Sequence, residues 1–200
     1  MSRRVRVVLV ALAALVVSLA PTPGRTALGD LTPAERARLE RGEVVVLDVL
    51  PAGGPAGAQG GTALVFVPAR PEAVWRLLVD YPGHAGLYPH VVAAEVLEAD
   101  AGRTLVRYRV GVGPFSFRFH VHSYPDAAHR RLHWDLAAGR PNDLFRENRG
   151  YWQLEPAGEG VVVTYAMASR TVLPAFLTRG AERQALVETL QAVRRRAIGS

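Results

Sequence analysis

Six histidines and the acids beside them are the side chains best equipped for chemistry in this 200-residue chain. His120, His122, His133 and Asp135 have the ligand types of a zinc site. Positions two apart on a strand share a face, and a hairpin closing through residues 125–129 would bring His133 beside His120 or His122. Arg118 and Arg131 crowd that same face with positive charge. A solvated, protonatable surface is therefore the expected role of the cluster, and no metal is assigned. Asp80, His84 and His90 form the nearest approach to a general acid–base set, within one short segment. Their simpler roles are structural: Asp80 caps a helix end or turn, and His90 starts a strand.

Other chemistries are excluded by residue type. The chain has no cysteine, so it has no thiolate nucleophile, cysteine-bound zinc, disulfide framework or thioether-linked lipid anchor. It has no Gly-x-Ser-x-Gly motif. Gly53-Gly54 and Gly60-Gly61 flank a turn with no helix behind it, so no phosphate cradle is expected. No catalytic residue and no cofactor is assigned.

What remains is aromatic. In 115–122 (Phe-Ser-Phe-Arg-Phe-His-Val-His) one face carries Phe115, Phe117, Phe119 and Val121, and the other Ser116, Arg118, His120 and His122. The stretch before it sets Val106, Tyr108 and Val110 against Arg107 and Arg109. The stretch after it sets Leu132, Trp134 and Leu136 against Arg131, His133 and Asp135. A period of two marks strands, and three neighbours share one apolar and one charged face.

Those strands need partners and a cover. Strands are expected at 43–50, 62–67, 91–97, 104–110, 115–124, 131–137, 150–155 and 161–168. Short connections rich in Gly, Pro, Asp and Ala make neighbours antiparallel. Residues 139–148 form the one longer polar connection, and Gly139 to Asp143 in it are either a rim of a pocket or a solvated loop. A short helix is expected after Thr32-Pro33-Ala34-Glu35, with Thr32 as cap. A second follows Pro71, with Trp75, Leu78 and Val79 on one face. A long last helix runs from about Pro174 to Ala197, striped by Leu186, Leu190, Val193 and Ala197. A sheet with one wet face must cover the other. One helix cannot cover so many strands flat, so the sheet must curl around it.

Charge and the first residues place the chain. The formal net charge is +6, and all 24 basic residues are arginine. Four of them lie in residues 1–27; the other 20 face 18 acids, a balance of +2. That balance makes no electrostatic case for nucleic acid. Arg3, Arg4 and Arg6 precede a 14-residue apolar run, 7–20, broken only by Ser18. A spanning helix needs roughly 20 apolar residues, whereas an export signal needs about 7–15. Residues 1–27 are thus expected to be a signal peptide, cleaved near Ala20 or Ala27, which makes the protein periplasmic or secreted. Residues 28–42 form a short helical extension and 43–198 the domain.

The order of elements resembles the helix-grip fold of the START-like (SRPBCC) superfamily, which includes polyketide cyclase/dehydrase-like and coenzyme Q-binding START-type proteins. The likeness rests on Val67-Pro68-Ala69-Arg70-Pro71-Glu72-Ala73-Val74-Trp75, Asp80-Tyr81-Pro82, Tyr88-Pro89-His90-Val91, Gly150-Tyr151-Trp152-Gln153-Leu154-Glu155-Pro156 and Val163-Thr164-Tyr165. It implies an α+β fold, a curved antiparallel sheet wrapped around a long C-terminal helix with two short helices. It also implies a cavity for a hydrophobic small molecule such as a lipid, quinone or polyketide, with transient membrane contact as a route of exchange. The expected lining is Trp75, Tyr81, Tyr88, Tyr108, Phe115, Phe117, Phe119, Trp134, Trp152, Tyr165 and Phe176, with Tyr81 and Tyr88 as gates. Carrier or sensor is the expected role. A cyclase or dehydratase, or an interaction domain with a filled cavity, are the alternatives.

Overall fold

The computed structural model describes residues 27–54, 56–172 and 181–199. Residues 1–26 of the expected export segment, the expected start of the last helix and Phe176 lie outside the described residues.

Eight strands form one antiparallel sheet: β1 (Val45–Leu47), β2 (Gln59–Val67), β3 (Val91–Asp100), β4 (Arg103–Val112), β5 (Phe115–Asp126), β6 (Arg131–Leu136), β7 (Phe145–Ala157) and β8 (Gly160–Thr171). Their order is β1-β2-β8-β7-β6-β5-β4-β3. Strands β3 to β8 form a meander, because their connections are too short for anything but hairpins. At the β4–β5 tip the turn is Gly113-Pro114, and Gly113 takes the left-handed conformation (φ 56°) that favours glycine. Register shifts in β3, and between Phe145 and Glu147 of β7, mark bulges where the sheet bends.

The remaining elements close the sheet at two places. Helix α1 (Pro33–Glu40) starts with the expected cap: the Thr32 hydroxyl accepts from the Glu35 amide, and the Glu35 carboxylate accepts from the Thr32 amide. It seats Leu39, with Leu31 before it, against Val45, Leu64 and Val162 on the outer face of the sheet. Helix α2 (Pro71–Val79) and a 3-10 turn (Pro82–His84) carry the chain from β2 to β3 at the far edge. Helix α3 (Ala181–Ile198) lies on the inner face, chiefly over β2, with further contacts to β1, β8 and α2. Its stripe of Leu186, Leu190, Val193 and Ala197 packs with Val65, Val67, Val163, Leu154 and the α2 residues Val74 and Leu78.

This arrangement explains two kinds of strand. At the β1-β2-β8 end both faces are covered, so Leu64 and Val65 are both buried and the sequence runs apolar without alternation. At the β3-to-β6 end the outer face is more open, and alternation persists. Helix α3 sits over the first region, leaving the inner face of the second to be covered by something smaller.

Three expectations are corrected. The first strand shrinks from 43–50 to Val45–Leu47. The connection at 139–148 is shorter, because β7 already begins at Phe145; the bulge there breaks the alternation that would have marked it. The loop before it folds over the outer face: Asp143 accepts from the Arg118 amide, and its own amide donates to the Arg118 carbonyl. As a result His120, expected on a solvated face, is only 4% exposed.

Candidate functional site

Between the inner face of β4–β8, the 3-10 turn and α3 lies a cavity of about 250 Å³. Strand pairing builds its floor. Tyr108 faces Phe119 across β4–β5, and Trp152 faces Tyr165 across β7–β8. These pairs stack with ring centres 5.4 and 4.2 Å apart. Trp134 adds to the second stack, 5.7 Å from Tyr165. The segment after α2 forms the roof: Tyr81, His84, Tyr88, Pro89 and His90. Tyr88 lies nearly parallel to Trp152, with ring centres 6.0 Å apart. Ala185 and Thr189 of α3 close one side.

The roof is bonded to the floor. His84 Nε2 lies 3.2 Å from the carbonyls of Leu77 and Leu78. Carbonyls only accept, so Nε2 carries the ring proton and Nδ1 is left with its lone pair. Nδ1 therefore accepts from the Tyr108 hydroxyl at 2.7 Å. Burial, partly offset by the two carbonyls, pushes the His84 pKa down to about 4. Burial likewise pushes the Tyr108, Tyr165 and Tyr88 hydroxyls up from the ordinary phenol range. All four rings are thus neutral at neutral pH. The Tyr81 hydroxyl donates to the Ser123 hydroxyl at 3.0 Å, and the Trp134 indole N–H donates to Asn148 Oδ1 at 2.7 Å. Among the described residues, no arginine, aspartate or glutamate lines the cavity.

Of the eleven residues expected to line a pocket, the structure places Tyr81, Tyr88, Tyr108, Phe119, Trp134, Trp152 and Tyr165 on this wall. Three sit elsewhere. Trp75 packs at the edge of the main core. Phe115 is at the β4–β5 hairpin tip, beyond the covering elements, and is 66% exposed. Phe117 lies between it and the cavity and does not reach the wall. Phe176 lies outside the described residues. Tyr81, read as a gate, is buried and pinned through Ser123.

The structure separates the other candidates too. Asp80 is exposed, and its carboxylate accepts from the Gly83 amide. His90 reaches the cavity rim with a left-handed backbone (φ 64°). His120 Nδ1 meets the Pro141 carbonyl at 2.8 Å, while His133 stacks on Tyr124. Among the described residues no group of three His, Asp or Glu is arranged to hold a metal ion. Residues 139–143 do not reach the cavity, whereas Leu144, Phe145 and Asn148 do. Sequence reading missed these last three, together with Ser123. Ser123 lies within the strand expected at 115–124, on the face of Phe119 and Val121, and was passed over because it is not aromatic; Asn148 continues the period of Gly150 and Trp152 and was readable had that strand been extended.

Comparisons with known proteins agree with the fold. Residues 67–194 match the family described as polyketide cyclase / dehydrase and lipid transport. Comparison with curated proteins matches none of them. Among solved structures, a STAR-related lipid transfer protein from Xanthomonas axonopodis shares 23% identity over 78% of this chain and 92% of its own, with a TM-score of 0.60. A START superfamily protein from Mycobacterium smegmatis shares 15% identity over 69% of this chain and 96% of its own, with a TM-score of 0.59. The Zhui aromatase/cyclase from a Streptomyces species shares 21% identity over 70% of this chain and 87% of its own, with a TM-score of 0.53.

Proposed function

Since this chain belongs to the polyketide cyclase / dehydrase and lipid transport family, we propose that its cavity holds one uncharged hydrophobic small molecule, as a carrier or sensor in the cell envelope. The observation that carries this reading is the composition of the wall: stacked aromatics and neutral polar groups. A charged ligand would lose its hydration there without gaining a counter-charge. An apolar one gains by burial. Hiding roughly 300 Å² of apolar surface contributes on the order of 7 kcal/mol before ordering costs, enough for useful affinity without chemistry.

A cyclase-like reaction is the second reading, favoured by the direct His84–Tyr108 contact. Proton transfer from Tyr108 to His84 would be strongly uphill, with the acid pushed up and the base pushed down. Binding therefore suits the pair better than acid–base catalysis. Envelope location is supported by the arginine-flanked apolar run of residues 7–20.

Solvent extraction and native mass spectrometry of protein taken from the periplasm test the proposal. A co-purifying neutral organic molecule in stoichiometric amount is expected. Repeated absence of any such molecule, with no uptake of neutral aromatic probes, would overturn it.

A further inference from the structure

Among the described residues eight large apolar side chains are exposed. Six of them, Val49, Leu50, Val92, Val112, Phe115 and Val172, stand at one end of the sheet, where β1, β4 and β8 finish and β2, β3 and β5 begin. Single exposed apolar residues are ordinary, but their gathering at one end needs a reason. The β4–β5 hairpin carries the centre of the group. Phe115 is 66% exposed, and Val112, 50% exposed, faces it across the turn. Val92 joins them from β3, with its Cγ1 against Gly111. Residues 110–117 hold no charged side chain.

Behind this uncharged tip the charge is of one sign. Residues 101–125 contain four arginines and no acid. Arg109 and Arg118 sit directly opposite each other on β4 and β5, a pairing that like charges disfavour. Arg118 has Asp143 at 3.9 Å, whereas Arg109 has no ion pair among the described residues. With Arg107, Ser116, Glu95 and Asp143 they line a cleft in which three guanidinium groups face two carboxylates. That cleft is short of one negative charge.

We propose that this end of the molecule docks on an anionic lipid bilayer, with Val112 and Phe115 entering the acyl boundary and Arg109 and Arg118 meeting lipid phosphates. The spacing fits. Three residues at ~3.3 Å each set the arginines about 10 Å behind the tip, and an interfacial apolar surface sinks about 5–10 Å. Other occupants fit less well. An acidic protein surface would satisfy the arginines but leave the uncharged tip unexplained. A second copy docked tip to tip would bring arginines towards arginines. The cavity reaches the same place: Val110, two residues from Val112, is on its wall, and so is Leu144, whose carbonyl accepts from the Val172 amide. Docking would therefore let a neutral apolar ligand pass from acyl chains to cavity with little exposure to water. That use of the surface rests on the proposed function; the docking does not.

Vesicle flotation tests this on protein from the soluble periplasmic fraction. The vesicles are phosphatidylcholine alone, or phosphatidylcholine mixed equally with phosphatidylglycerol. The unaltered protein should float with the mixed vesicles, less so in added salt, and stay behind with phosphatidylcholine alone. Val112→Ser combined with Phe115→Ser should weaken binding at least tenfold. Arg109→Gln combined with Arg118→Gln should weaken it about tenfold. Val96→Ser, at an exposed apolar residue elsewhere on β3, should bind as the unaltered protein does. Phe115→Trp keeps the tip apolar, and its added fluorescence should be quenched by lipids brominated in their acyl chains. Unchanged binding by either double variant, or no added quenching in Phe115→Trp, would overturn the docking. So would a protein that ignores vesicles and self-associates through the tip. Uptake of neutral aromatic probes without vesicles tests the cavity separately, so failure of one reading is distinguishable from failure of the other.

Discussion

Replacing His84 by glutamine should remove a large part of the protein's sensitivity to acid. In the folded chain the imidazole is buried, 2% exposed, and its pKa is about 4 against 6.5 when free in water. The unfolded chain therefore takes up this proton first as pH falls. Stability is whole above the unfolded value and is lost on descending through the window to about 4. The full interval is worth about 3 kcal/mol, of which about 2 kcal/mol goes between about pH 7 and pH 5. Asp80 favours the charged ring, but burial outweighs it. Glu35, Glu43 and Asp126 are also held low, by hydrogen bonds from Thr32, from Arg38 and from the His129 backbone respectively. They lose their contribution in acid too, but they are exposed and common to both proteins. Urea unfolding of the unaltered protein and of His84→Gln, at several pH values in that window, isolates the one residue in the difference curve. The variant will be less stable at neutral pH, having lost the bond to Tyr108, but its curve should be flatter. Parallel curves would refute the assignment of a neutral buried ring.

Two further substitutions probe the cavity and its limits. A Cβ at Gly150 would come 2.3 Å from the Ala166 carbonyl and 2.4 Å from the Trp134 ring, so Gly150→Ala should push Trp134 into the cavity. We expect a stability loss of about 1–3 kcal/mol by overpacking and at least a tenfold loss of aromatic probe binding, read by denaturation and by titration; full binding would show that the wall is soft. Phe115→Ser, at the exposed tip, should change stability by less than about 0.5 kcal/mol, whereas Phe119→Ser, which removes contacts to Tyr108 and Phe145, should cost about 2 kcal/mol in the same assay. Equal effects would contradict the placement of the two rings.

How much of this was legible beforehand differs by element. The shared apolar face of β4, β5 and β6 was readable because a period of two is a property of the strand itself. Tyr108, Phe119 and Trp134 could be set on it by counting. The stripe of Leu186, Leu190, Val193 and Ala197 was readable for the same kind of reason, and all four are buried. Capping by Thr32 follows from four consecutive residues. The start of β7 was not readable, because a bulge between Phe145 and Glu147 shifts the alternation that would have announced it.

Periodicity also could not say where a face stops being covered. Phe115 and Phe119 belong to one row, yet one meets water and the other a cavity, because the covering elements end between them. His120 belongs to the charged row, yet the loop before β7 buries it. By itself, then, the sequence determined the strands, their faces, the caps and the helix able to grip the sheet. These are short-range consequences of backbone geometry and side-chain type. Only the tertiary structure decided that the grip leaves a void and that His84 ties its roof to its floor. A void is the difference between the volume a curved backbone encloses and the volume its side chains fill, and that difference depends on every wall at once.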